Sequence, residues 1–428
     1  MKYQLASRMA GMKASAVREI LKVTQRPEVI SFAGGLPAPE LFPVDEISKV
    51  AQEVCAEEGR KVLQYATTEG RPTLRQKIAD RMNKIYNSDL KMENILITTG
   101  SQQNLDMAGK IFLNPGDVVL MEAPTYLAAI NAFKAYECTF KEVPTDDKGM
   151  IPEALEKILE TTENVKLVYV ITDFQNPTGI CWPMERRKAF MEIMAKYDIP
   201  VLEDNPYGEL RYEGTTNPSL LSMDQRGQVM GMGTFSKTFC PGLRIGWLAC
   251  SPDIMPQFVK VKQSADLHSS AFDQAIIDRY MDEFSLDEHV KEINALYGHR
   301  RDLIIQCMEK DVTRTNAHGR AQHKGSNRRN THIGFIMRHE ANGARQAFYL
   351  DKAKTQGKVD SASHQQHDSK GKRAQDRQGL IGMEHSRHVP EKVTEGADKL
   401  KDRIDPLKKV LHLHRSLFCN KIDRIIFR

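Results

Sequence analysis

The stretch Gly233-Thr234-Phe235-Ser236-Lys237-Thr238-Phe239-Cys240-Pro241-Gly242-Leu243-Arg244-Ile245-Gly246-Trp247 sets one lysine among small hydroxyl residues, with an arginine seven residues further on. A lysine in a partly buried, polar pocket can lose its proton and attack an aldehyde carbon. The hydroxyls of Thr234 and Ser236, with the Arg244 guanidinium, suit a phosphate dianion, which needs several donors at once. Any one of these residues alone reads equally well as a solvated side chain in a turn. The spacing as a whole does not.

Further motifs put polar groups at the ends of apolar runs. Thr98-Thr99-Gly100-Ser101-Gln102-Gln103 leads from a β-rich run into a helical pattern. Backbone N–H groups and a hydroxyl at a positive helix terminus favour a phosphate, although a Gly-Ser helix start alone is also a plain cap. Ala123-Pro124-Thr125-Tyr126 ends the next run with an aromatic at its C-terminal edge, where open α/β sheets bind ligands. Tyr126 could stack on a flat ring there or pack in the core. Asp173-Phe174-Gln175-Asn176-Pro177-Thr178-Gly179 is turn punctuation by composition. Glu203-Asp204-Asn205-Pro206-Tyr207 places a carboxylate at the end of a buried run, which is costly unless it is paired. By type alone, Asp204 could instead cap a helix.

The elements that must position these groups alternate. Strands are predicted at 94–99, 117–121, 138–143, 166–172, 200–203, 229–235 and 243–250. Helices are predicted at 101–112 and 183–197, and residues 253–310 read as helical throughout. Several strands are apolar without alternation, as expected when both faces are covered. The order argues for an α/β fold, a largely parallel sheet sandwiched by helices.

Taken in order, Ser-Lys-Thr-x-x-Pro-Gly-Leu-Arg-x-Gly-Trp and its companion motifs resemble the fold-type I pyridoxal-phosphate enzymes, the class I/II aminotransferases. The resemblance is strongest to the subgroup of 2-aminoadipate and kynurenine aminotransferases, and it covers residues 1–312. It implies a mostly parallel seven-stranded sheet in a large cofactor-binding domain, with a smaller second domain that is disrupted in this chain. It implies pyridoxal 5'-phosphate on Lys237 as catalytic residue. Gly100, Ser101, Gln102, Thr234, Ser236 and Arg244 would hold the phosphate. Tyr126 would stack on the ring, Asn176 and Tyr207 would bond the phenolic oxygen, and Asp204 would keep the ring nitrogen protonated. Ile30-Ser31-Phe32-Ala33-Gly34-Gly35-Leu36-Pro37 resembles the substrate-side segment, giving Gly34, Gly35 and Asn176 as substrate contacts. Gln64-Tyr65-Ala66-Thr67-Thr68-Glu69-Gly70, with Leu74-Arg75, resembles the segment whose tyrosine reaches the phosphate of a neighbouring subunit. Tyr65 would take that part, so a homodimer is implied. The implied reaction is ping-pong transfer of an amino group through a Lys237 aldimine. The donor would be 2-aminoadipate, an aromatic or branched-chain amino acid, or glutamate, and the acceptor a 2-oxo acid. The same residues would also serve a lyase or decarboxylase.

Past residue 312 the pattern changes. Residues 313–428 hold 25 Lys+Arg against 12 Asp+Glu, a local balance of about +13 in a chain whose net charge is +5. Ten of the 13 histidines lie there, the helical period is lost, and only 399–427 recovers an amphipathic pattern. Neither the family's Gly-Gly strand nor its late carboxylate-clamping arginine is found, and Arg338 and Arg424 match by residue type only. The domain reading is an arm and substrate-side segment at 1–40, the large domain at 41–290, the start of a small domain at 291–312, and an atypical basic segment at 313–428. That last segment reads as out of frame or disordered, which leaves a catalytically impaired product as an alternative. A nucleic-acid-binding tail suits the charge, but without aromatic interleaving no nucleic-acid partner is expected. There is no apolar run of about 18 residues, so no membrane partner is expected. The first residues lack the apolar core of a leader. The seven cysteines form no Cys-x-x-Cys pair, which points to a cytoplasmic protein without a metal site.

Overall fold

The computed structural model describes residues 3–10, 12 and 35–319, the last ten of these as backbone alone. The chain divides into two units, Met1–His364 and Gln365–Arg428, and every described residue belongs to the first. Gly34, Arg338, Arg424, the amphipathic pattern at 399–427 and most of the basic segment lie outside the described residues.

In chain order the first elements are α1 (Val44–Val62), α2 (Pro72–Tyr86), β1 (Ile95–Thr98), α3 (Ser101–Phe112), β2 (Val118–Glu122), α4 (Leu127–Lys134) and β3 (Thr139–Val143). A two-stranded ribbon follows, β4 (Thr145–Asp146) and β5 (Gly149–Met150), then α5 (Pro152–Thr161), β6 (Val165–Val170), α6 (Met184–Met194) and β7 (Val201–Asp204). The remainder is α7 (Leu220–Met223), β8 (Val229–Thr234), α8 (Phe235–Thr238), β9 (Gly246–Ala249), α9 (Met255–Ala265), α10 (Ala271–Glu283) and α11 (Leu286–Gly319). Proline opens α2 and α5, where a missing N–H costs nothing. The predicted helical tract at 253–310 is broken twice, at 266–270 and 284–285. Helix α11 runs through position 312, where the apolar period fails.

All seven predicted strands join one sheet in the order β1-β9-β8-β7-β6-β2-β3. Only β9 is antiparallel to its neighbours, so β1 and β8 flank it in the same direction as the rest. Successive side chains leave opposite faces, and both faces are covered. On one, Leu96, Met121, Leu167, Tyr169, Leu202 and Met232 pack against Leu105 and Ala108 of α3, Phe133 of α4 and Phe258 of α9. On the other, Ile95 and Ile97 meet Leu74 and Ile78 of α2 and Ile277 of α10, while Val168, Val201 and Val229 meet Leu155 of α5 and Phe190 of α6. Val50 and Val54 of α1 lie on Ala275 and Ile276 of α10. This two-sided burial explains the uninterrupted apolar runs.

Candidate active site

The chemistry-bearing residues gather where β1, β2, β6, β7 and β8 end. Thr98 and Thr234 both pair with Gly246, so the ends of β1 and β8 lie abreast across β9. From Thr98 the chain turns through Gly100, whose φ is 71°, into α3 at Ser101. Only glycine enters this region without strain. A Cβ on Gly100 would overlap Arg244 Nη2, so the guanidinium lies against the turn. A Cβ on Gly246 would come within 2.8 Å of the Ser101 backbone nitrogen, which seats β9 directly under the α3 N-terminus. Ser101 is half-buried and Gln102, next along, is exposed.

Thr234 Oγ1 accepts from the Ser236 N–H at 3.1 Å and donates to Ser236 Oγ at 3.0 Å. Arg244 Nη1 approaches Ser236 Oγ at 3.4 Å. Two hydroxyls, one guanidinium and the first N–H groups of α3 therefore converge on one exposed corner. That is a donor set for a dianion. Lys237 follows on α8, half-buried, its Nζ 5.8 Å from the centre of the Tyr207 ring. Burial, and then the charge of Arg244, lower the Lys237 pKa. Both effects favour the neutral, nucleophilic amine.

Deeper in, Asp204 ends β7 and is buried. Its Oδ2 accepts from the Tyr169 hydroxyl at 2.8 Å. Its Oδ1 is buried without a hydrogen-bond partner among the described residues. Burial raises its pKa to about 7, against the opposing Tyr169 hydrogen bond. Tyr207 is bonded by Asn176, and burial pushes its phenol up to about 12. Tyr126 caps α4, half-buried, and its phenol also acts on those of Tyr207 and Tyr169. Lys237, Tyr207, Asn176, Tyr126, Asp204 and the dianion corner thus form one constellation.

Other residues lie elsewhere. Tyr65 is 79% exposed, and its ring meets His268 edge-on at 6.0 Å. Gly35 begins the segment whose Ala38 N–H donates to the Tyr297 hydroxyl at 3.1 Å. Among the described residues no cluster of metal-ligating groups occurs, and no helix is long and apolar enough to cross a membrane. All six described cysteines are free.

The structure adds residues that spacing did not single out. Gln175 donates to Pro124 O at 2.8 Å and accepts from Thr178 N–H and hydroxyl, which ties the Asn176 turn to the Tyr126 turn. Asp173, fully buried, pairs with Arg187 at 2.9 Å and Arg211 at 2.7 Å beneath that turn. Tyr169 gave no signal beyond a tyrosine in an apolar run.

A buried carboxylate oxygen without a partner needs a cation or an N–H donor. The protonated ring nitrogen of pyridoxal phosphate is such a donor, and its phosphate matches the corner at Gly100 and Arg244. The residues present fit that group.

The family model "Aminotransferase class I and II" matches residues 27–327. The chain is 44% identical over 304 residues to aromatic-amino-acid aminotransferase 1 of Thermococcus litoralis, covering 70% of this chain and 73% of that protein. The Pyrococcus horikoshii kynurenine aminotransferase, solved with PMP, KYN as substrates and KYA as products, superposes with a TM-score of 0.68 at 42% identity, over 71% of this chain and 76% of that one. The alpha-aminoadipate aminotransferase of Thermus thermophilus, complexed with N-(5'-phosphopyridoxyl)-L-leucine, gives 0.66 at 34% identity, over 72% and 77%. The chain belongs to the class I and II aminotransferase family, as an enzyme of the transaminase type that acts on amino acids and 2-oxo acids.

Proposed function

We propose that the chain uses pyridoxal 5'-phosphate to move an amino group from 2-aminoadipate, an aromatic or branched-chain amino acid, or glutamate to a 2-oxo acid such as 2-oxoglutarate. The single observation that carries the cofactor reading is Asp204, with one buried oxygen bonded to Tyr169 and the other unpartnered among the described residues. The substrate class is supported by the aromatic, kynurenine and aminoadipate aminotransferases among the relatives.

The residues divide the work. Gly100, Ser101, Gln102, Thr234, Ser236 and Arg244 hold the phosphate through backbone N–H groups, hydroxyls and one positive charge. Tyr126 covers the ring face, while Tyr207 and Asn176 fix the phenolic oxygen. Asp204, ionised, keeps the ring nitrogen protonated. The cofactor, when bound, supplies an aldehyde for covalent capture of amines and a cationic ring that delocalises an electron pair. Lys237 would be the amine that attaches the cofactor, and its neutral form would take the Cα proton from the amino acid and hand it across the shared nitrogen to the cofactor's C4′ carbon. Arg244 serves twice, binding the dianion and lowering the Lys237 pKa.

Gly34, Gly35 and Asn176 are the substrate-side contacts in this reading. Exposed Tyr65 completes the neighbouring subunit's phosphate site, which makes the working unit a homodimer. Free cysteines support a cytoplasmic protein. Residues 1–40 form the arm, 41–290 the large domain and 291–312 the start of the small one. Residues 313–428 are read as out of frame. Supporting this, the aligned regions take in 70–72% of this chain and leave about a quarter of each relative uncovered, while the family-model match runs 15 residues past 312, to residue 327. Translating the gene in its other two frames past codon 312 tests it. A Gly-Gly strand and a late arginine are expected in one of them, and their absence from both refutes the idea.

Visible absorbance of the full chain with pyridoxal phosphate tests the function. A band that forms on binding and converts on adding glutamate or 2-aminoadipate, with release of the matching oxo acid, is expected. A band that forms without conversion means the cofactor site is intact and the substrate clamp is missing. No band overturns the cofactor reading.

A further inference from the structure

Lys262 on α9 is completely buried, yet it is remote in sequence from every motif above. A buried ammonium is expensive unless each proton finds a partner. Here Nζ donates to Gln103 Oε1 at 2.8 Å, to Ser269 Oγ at 3.0 Å and to Asp266, whose Oδ1 and Oδ2 lie at 2.9 and 3.1 Å. Three donors thus meet three partners, and the pair with Asp266 is neutral overall.

Each partner leads back to the turn that enters α3. Gln103 Oε1 also accepts from the Thr99 N–H at 2.9 Å. The Thr99 hydroxyl donates to Asp266 Oδ2 at 2.8 Å and lies 2.9 Å from Ser269 Oγ. Within the turn, Gly100 N–H donates to Thr98 O at 2.8 Å and Gln103 N–H to Gly100 O at 3.1 Å. The backbone on both sides of Gly100 is therefore fastened to one buried ammonium. The loop that carries Asp266 and Ser269 also carries His268, whose Nε2 accepts from the Ala66 N–H at 3.2 Å.

We propose that Lys262 and Asp266, through Gln103, Thr99 and Ser269, are positioning residues that set the Thr99–Gly100–Ser101 turn in the geometry that binds the cofactor phosphate. Because the ion pair is neutral, the strut acts through geometry and not through a long-range field. It deepens the cofactor reading above and rests on it. Without Lys262, Thr99 and Gln103 lose their shared anchor, and the N–H groups of the α3 terminus drift from the phosphate. A shift of this kind affects the phosphate end alone, since Asp204, Tyr207 and Lys237 belong to other elements.

The experiment compares pyridoxal phosphate with pyridoxal, which lacks the phosphate, as ligands of the full-length apoprotein. Lys262→Met keeps the buried stem and removes the ammonium. It is expected to raise the pyridoxal phosphate dissociation constant about tenfold or more while changing that of pyridoxal less than about twofold. Thr99→Val, at an exposed position with little risk to folding, is expected to shift the same ratio in the same direction by a smaller factor. Equal weakening of both ligands, or no change in either variant, overturns the strut while leaving the cofactor reading standing. A wild-type chain that binds neither ligand overturns both.

Discussion

The Tyr169 hydroxyl donates to Asp204 Oδ2 at 2.8 Å across neighbouring strands of the sheet, with both residues buried. Tyr169 pairs with Leu202, and Asp204 lies two residues further along the same face. The bond stabilises the ionised carboxylate that a protonated ring nitrogen requires, against a burial effect that raises its pKa. Tyr169→Phe keeps the ring packing and removes this bond. A hydrogen bond to a charged group is worth about 1.5–3 kcal/mol, roughly a 10- to 100-fold effect. Pyridoxal phosphate affinity at neutral pH should fall by about that factor, and its pH dependence should move to higher pH. Unchanged binding across pH would show that Tyr169 is only packing.

The same carboxylate sets a pH dependence. Its pKa in the folded apoprotein is raised from 3.8 to about 7. A raised carboxylate favours the fold most below its unfolded value, and this contribution is lost as pH rises through about 7. The cofactor selects the ionised form, so loading below pH 7 must expel a proton. Affinity should therefore rise with pH by up to about tenfold per unit until pH 7, then level off. The melting-temperature gap between cofactor-loaded and apo protein should widen over the same range. Titrations from pH 5 to 8 check this, and Asp204→Asn should flatten the curve.

Gly100 offers a backbone test. At φ 71° and ψ 163° an alanine is strained by roughly 1–3 kcal/mol, and its Cβ would also overlap Arg244 Nη2. Gly100→Ala should displace the guanidinium from the dianion corner. The cofactor phosphate should then be held at least about tenfold more weakly, with a loss of stability no larger than the strain itself. Titration of the variant with pyridoxal phosphate and with inorganic phosphate measures the effect. Equal affinity to wild type would remove Arg244 from the corner.

Some of this architecture was readable because it is contiguous. Between Lys166 and Thr172 the run 167–171 is apolar throughout, as expected of a strand buried on both faces. Lys237 and Arg244 sit close in sequence, so their spacing reports their chemistry. Lys262 did not stand out. It lies in Met255–Ala265 two residues from Lys260, where a solvated face is the ordinary reading, yet the fold buries it completely. Tyr169 and Asp204 meet because β6 lies beside β7, and Asp173 meets Arg187 and Arg211 by the same kind of convergence. Tertiary packing brings such partners together, and no spacing along the chain encodes it. The two breaks at 266–270 and 284–285 were also hidden, because helix formers flank them on both sides.

Tyr65 supplies the last test. It is 79% exposed, with its backbone neighbour Ala66 anchored to His268 and most of its own surface open to solvent. If it completes the phosphate site of a second copy, Tyr65→Phe and Lys237→Ala damage different sites in a mixed dimer. One site would inherit both lesions, and the other would have native Lys237 from one chain and native Tyr65 from its partner. Random exchange makes about half of the dimers mixed, each with one intact site of two, so recovery should approach about a quarter of wild-type activity. The measurement is the transfer rate of the two variants alone and after unfolding and refolding together. Each alone should be impaired, Lys237→Ala nearly to zero, because it removes the nucleophile. Recovery above the average of the two separate rates places Tyr65 across the subunit boundary. A mixture no better than that average would confine Tyr65 to its own chain.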